Sequence, residues 1–278
     1  MAEIQINGSE RFRNGINTAL RNIRGVRAGN AVLESIRQRQ FGIIFIELRG
    51  NNQSCSMSPN ADANVAFLTQ QQSQRASAYG SPIRHRAGHL YSYRGIGGGA
   101  GAARVRISPR DFCDNRTLQV TLAHELVHGL RILSGSQIYS PMVAWDNYEE
   151  FVACLVENVM RSELRLRLRV NHGFGVDPVF QEFWRNANQE RQSQAAATTQ
   201  PGVMRERGAL PTGPIFNQTQ VESYMESIKT DREALRSLSE LFAGRYSNRI
   251  GVIRYWNNNL FDRLRGFSNI PFNPFRDC

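Results

Sequence analysis

The stretch that most constrains this chain is VTLAHELVHGLRILSG, residues 120–135. Leu118, Leu122, Leu126 and Leu130 recur at helical spacing and form an apolar ridge, so this segment is predicted to be a helix set into the core. Asp114 or Asn115 is placed to cap it. His124 and His128 stand one turn apart, with Cβ atoms about 5–6 Å from each other. Two imidazoles at that separation can reach one zinc ion at about 2.0–2.1 Å. Glu125 projects about 100° away from the pair. From there it can take a proton from water beside the ion, the division of labour that peptide hydrolysis requires. The chain holds only five histidines, so His-Glu-x-x-His at this spacing is a specific signal rather than two satisfied core histidines.

A histidine pair is half a site. The next predicted helix begins DNYEEFVACLVENVMRSELRLRLR at Asp146 and offers Asp146, Glu149, Glu150, Glu157 and Glu163. Phe151, Val152, Leu155, Val156 and Val159 define its apolar arc. Glu150, Ala153, Cys154 and Glu157 share another side, and the small Ala153 and Cys154 permit close approach to the histidine helix. The pattern favours Glu150 as third ligand. Glu149, at the margin of the apolar arc, is its rival, and Glu157 reads as a supporting or solvated acid. A group to stabilise the oxyanion is expected at His172, in RVNHGFG, with Tyr148 second. His85 and His89 are also four apart, but they are flanked by arginines without an intervening glutamate and read as loop residues.

Elsewhere EIQIN reads as a strand, residues 10–24 and 30–39 as helices, and FGIIFIEL (41–48) as a central strand. Residues 49–75 are polar and loop-like. HLYSYRGIGGGAGAARVRISP reads as two strands around a flexible loop. Its glycines do not make a dinucleotide fingerprint, because a strand rather than a helix follows. Helices follow at about 115–134 and 147–166. The composition then turns rich in Gln, Ala, Thr, Gly and Pro, which marks 186–214 as a linker. A catalytic domain over 1–185 and a helical extension over 215–278 complete an α+β reading. The tail GFSNIPFNPFRDC is predicted to be irregular.

The formal charge of +10 invites a nucleic-acid partner. Its make-up points elsewhere. Of 34 basic residues only Lys229 is lysine, while 22 Asn and 18 Ile argue against a GC-rich codon bias. Arginine keeps the charge but, unlike lysine, cannot be ubiquitinated. That suits a protein acting inside a eukaryotic cytosol that it enters from outside. The arginines are spread along the chain without interleaved aromatics, so nucleic acid is not the expected partner. The densest run, RSELRLRLR, suggests that Arg167 and Arg169 grip an acidic substrate segment. Four cysteines (Cys55, Cys113, Cys154 and Cys278) show no CxxC spacing, and no metal or redox role is expected for them. No apolar run approaches the roughly 20 residues that span a bilayer. The N-terminus lacks a signal-peptide layout, so no membrane partner and no cleavable signal are expected.

HELVHGLRILSG followed by YEEFVACLVENVMRSELRLRLR resembles the NleD-like group of secreted bacterial effector zinc metallopeptidases. The matching elements are the HExxH helix, Glu149-Glu150, Glu157-Asn158, Arg161, Glu163-Leu164 and Leu166-Arg167-Leu168-Arg169. The resemblance extends over about residues 1–175 and implies a zincin-like, gluzincin-type fold binding zinc. It also implies injection into host cells and cleavage of host signalling proteins, including mitogen-activated protein kinases. His172 stands where that group would lead one to expect a tyrosine. Two other readings compete: an antibacterial protease toxin acting in a rival's envelope, and an arginine-rich nucleic-acid-binding module with a structural metal site.

Overall fold

The computed structural model describes residues 1–39, 42–49, 62–65, 102–113, 115–137, 141–142, 145–172, 189, 229–256 and 258–278. Strand β1 (Glu3–Asn7) leads into helices α1 (Glu10–Arg24) and α2 (Arg27–Arg37), then strands β2 (Ile43–Leu48), β3 (Asp62–Val65) and β4 (Ala102–Ile107). Helices α3 (Pro109–Cys113) and α4 (Asn115–Ser134) follow, with short strands β5 (Pro141–Met142) and β6 (Asp146–Asn147) before α5 (Tyr148–Glu163). The C-terminal region supplies α6 (Arg232–Trp256) and α7 (Asn258–Arg265).

The main sheet runs β1-β2-β4-β3. β2 pairs in parallel with β1 and with β4, whereas β3 pairs antiparallel with β4. IIFIEL is thus an internal strand, as its apolar run implies. Alternation divides the sheet into two faces. Ile44, Ile46, Ala103 and Val105 are fully buried against the helices. The opposite face carries a ladder of charges, with Arg106 donating to both Asp62 oxygens at 2.7 and 2.8 Å and Arg104 beside Glu47 at 3.2 Å. The mixed α and β composition agrees with the α+β expectation.

Helix α4 lies on the buried face. Its leucine ridge is sequestered, with Leu122 and Leu126 at 0% exposure. Gly129 lets it approach, since a Cβ there would stand 3.1 Å from Ile44 Cδ1. The helix ends at Gly135, whose φ of 63° suits glycine, and the Ser136 amide returns to the Arg131 carbonyl at 3.1 Å.

From Arg232 onward the chain is largely helical, through α6 and α7, and it packs into the same core. Phe242 lies 5.4 Å from Phe272 and 6.4 Å from Trp145, and Tyr246 lies 4.6 Å from Phe151, ring centre to ring centre. The irregular tail is buried through Ile270, Phe272 and Phe275, and the Phe272 amide donates to Ser162 Oγ at 3.0 Å. These contacts matter for function because Phe151 is the neighbour of Glu150. The C-terminal region therefore backs the first turn of α5.

Cys113, expected to carry no special chemistry, is disulfide-bonded, while Cys154 and Cys278 are free. The Asp114 cap, the glycine cluster Gly95–Gly101, His85 and His89 and the proposed linker apart from residue 189 lie outside the described residues. Among the described residues no helix is long and apolar enough to cross a membrane.

Candidate metal centre

Helix α4 presents His124, Glu125 and His128, all buried, from its middle turns. Helix α5 begins opposite them. Asn147 caps it by accepting from the Glu150 amide at 3.1 Å, which fixes the first turn from which Glu149 and Glu150 project.

The two glutamates go to different places. Glu149 is wholly buried against Arg131 of α4, which donates through Nε and a terminal nitrogen at 2.7 and 2.6 Å. The same guanidinium donates to the Ser136 carbonyl at 2.5 Å. Glu150 stands among imidazoles: its Oε2 is 3.1 Å from His124 Nε2, 3.3 Å from His128 Nε2 and 3.2 Å from His172 Nε2. His124 and His128 Nε2 are 3.2 Å apart.

These separations fit a metal. Four donors at about 2.0–2.1 Å from a tetrahedral zinc stand roughly 3.3 Å from one another. Two imidazole nitrogens and a carboxylate oxygen are also a donor set that zinc accepts. Residues His124, Glu150 and His172 form a group compatible with a metal ion.

The surrounding charges favour a cation. Burial alone pushes the His124 imidazole down, yet contacts with Cys154, Glu150 and Glu157 carry its pKa well above the ordinary histidine value. Burial likewise pushes Glu150 up, and His128 and His124 hold it far below the usual carboxylate range. A divalent ion at these donors would supply that positive charge without requiring protonated rings.

Behind His124, Nδ1 stands 3.0 Å from Glu157 Oε2. Glu157 also accepts from Arg161 at 2.6 Å and from Arg169 at 3.1 Å. Burial raises this carboxyl, and Arg161, His124 and Arg169 pull it far below the usual range. A carboxylate on the outer nitrogen of a ligand histidine fixes its tautomer and orientation. Glu157 is buried behind His124 rather than solvated. Arg169, expected to grip substrate, donates to Glu157 through its guanidinium and to Asn158 Oδ1 through its backbone amide at 2.7 Å.

Glu125 has a different environment. Its Oε2 is buried without a hydrogen-bond partner among the described residues. Burial raises its carboxyl, only partly opposed by His124 and His128. A carboxyl tuned upward is suited to proton transfer near neutral pH.

His172 reaches the cluster from the segment after α5 and contacts Asp146 Oδ2 through Nδ1 at 2.5 Å. Tyr148, the alternative oxyanion group, is 4% exposed and donates its hydroxyl to the Arg249 carbonyl. Burial pushes its pKa up to about 12. Asp146, one of the acids that the sequence offers, meets His172 only because residues 165–172 return along α5.

Among curated proteins nothing matches this chain, and no solved structure matches it either. A family model does match, over residues 1–150, which takes in the whole of HELVH and ends at Glu150. With more than half of its length matched, the chain belongs to the Peptidase_M91 family of effector proteins.

Proposed function

We propose that this effector peptidase is a zinc endopeptidase of the NleD-like group that enters a host cell and hydrolyses a peptide bond in a host signalling protein. The observation that carries the reading is the near-tetrahedral spacing of His124, His128 and Glu150 beside a buried oxygen of Glu125 that has no hydrogen-bond partner among the described residues. In this reading His124, His128 and Glu150 hold zinc, in a zincin-like arrangement. Bound zinc supplies Lewis acidity, lowering the pKa of water to about 7 and polarising a carbonyl oxygen.

The rest falls to the chain's own side chains. Glu125 takes the proton of the attacking water and passes it to the leaving amine. Glu157, braced by Arg161 and Arg169, keeps the His124 ring facing the centre. His172 stands at the more open side, with a quarter of its side chain exposed, and borders the oxygen on which charge develops. A purely structural metal site would have no use for a buried carboxylate placed like Glu125, which weighs against the nucleic-acid-module alternative.

Dialysis against a chelator should abolish cleavage of a peptide library and lower the melting temperature. Zinc at 1,000 times its Kd should restore activity and add about 4 kcal/mol of stability. Magnesium should do neither, because it prefers an octahedral all-oxygen shell. Cleavage that persists after complete zinc removal would refute the reading.

Lysine scarcity supports host delivery over an envelope toxin. Replacing the exposed Arg11, Arg13, Arg21 and Arg24 by lysine should shorten the protein's half-life in a eukaryotic cytosol through ubiquitination. An unchanged half-life would remove that support.

A further inference from the structure

His172 Nε2 lies 3.2 Å from Glu150 Oε2, the spacing that also joins Glu150 to His124 and His128. Donor atoms of His124, Glu150 and His172 all fall within 4.8 Å of one another. The His172 ring stacks on His124, with planes 11° apart and centroids 6.1 Å apart. By position His172 thus stands with His124 and Glu150 as a possible donor.

The opposite edge of the ring supports the same conclusion. Nδ1 stands 2.5 Å from Asp146 Oδ2. A carboxylate there accepts a hydrogen, so the neutral ring carries its proton on Nδ1 and turns the Nε2 lone pair toward the centre. A metal takes a lone pair, whereas an oxyanion needs a hydrogen at that atom. The carboxylate–imidazole pair facing inward is the arrangement that orients metal-binding histidines, and Glu157 stands to His124 as Asp146 stands to His172.

The backbone is committed to this geometry at both ends. Asp146 has a φ of 61°, a left-handed conformation unusual outside glycine, one residue before the cap of α5. The chain reaching His172 is pinned along α5 by Asn158, which donates to the Arg169 carbonyl at 2.9 Å and accepts from the Arg169 amide at 2.7 Å.

We infer that in the resting protein His172 is a fourth protein ligand of the metal, oriented by Asp146, so that three imidazoles and one carboxylate close the centre. This rests on the metal-centre reading above. A shell of four protein ligands is that of a structural zinc site, whereas hydrolysis needs an open place. The resting centre is consequently latent. It opens when a substrate displaces the His172 ring from the centre.

Zinc-edge X-ray absorption on the full chain counts the imidazoles directly. Wild type should show three, and His172→Gln two. Asp146→Asn, which keeps His172 but replaces the charged acceptor, should weaken zinc binding by about 10–100-fold in chelator competition. Two imidazoles in both wild type and His172→Gln would overturn the inference while leaving a zinc centre in place. A wild-type protein that takes up no zinc at all overturns the centre itself, and this inference with it. The wild-type count decides the matter even where a variant folds poorly.

Discussion

Glu125→Gln should bind zinc as tightly as the wild type and cleave substrate about 10²–10⁴-fold more slowly, the range a positioned general base contributes. The substitution keeps the volume and removes the negative charge. It should cost no stability, because Glu125 Oε2 has no partner to lose among the described residues and burial already disfavours its ionised form. Metal content by mass spectrometry, kcat on a peptide substrate and thermal melts together separate the possibilities. A variant that loses zinc along with activity would make Glu125 part of the ligand set. A variant retaining a tenth or more of wild-type kcat would remove it from proton transfer.

The half of the centre carried by α4 was legible because it is local. His124, Glu125 and His128 depend on one helix, and four leucines fix which face of that helix is buried. Glu157 could be suspected as a supporting acid from its place on the side of α5 shared with Glu150. What decides between Glu149 and Glu150 is not local. The missed signal was Arg131, a charged residue inside GLRILSG that must find a buried acceptor if α4 lies in the core. Once Arg131 claims a carboxylate, Glu149 is no longer available to the histidines. The pairing of His172 with Asp146 depends on Asn158 and Glu157 drawing Arg169 back along α5, which no short spacing reveals. The partners of Arg169 are hidden for the same reason, since they lie on the preceding helix.

The fold divides along similar lines. Helices α1, α4 and α5 follow apolar periodicity closely. Strand β2 was expected to be central, and its neighbours β1 and β4 come from well separated parts of the chain, so only their pairing shows why. The tail shows the opposite failure. GFSNIPFNPF has no regular period, since prolines and turns prevent one, yet Ile270, Phe272 and Phe275 are buried. Irregular backbone can still close a core when its aromatic residues meet those of α6.

The sharpest test of the centre compares the adjacent glutamates. Glu150→Gln replaces a carboxylate that three imidazole nitrogens surround within 3.3 Å. Zinc affinity should fall by more than the roughly 100-fold lost with an outer partner, while the metal-free protein loses only the contacts of Glu150 with the imidazoles. Glu149→Leu should do the reverse in kind. It leaves Arg131, fully buried, without its carboxylate partner, and breaking such a pair costs about 3–5 kcal/mol, on the order of 10 °C in melting temperature. Adding Arg131→Met to Glu149→Leu should recover much of that loss, because an apolar pair of similar volume needs no compensating charge. Zinc titrations and melts on the four proteins complete the comparison. If Glu149→Leu folded normally and lost zinc while Glu150→Gln kept it, α5 would have to turn by about 100°. That rotation would carry Phe151 and Val152 out of the core in which both are now fully buried.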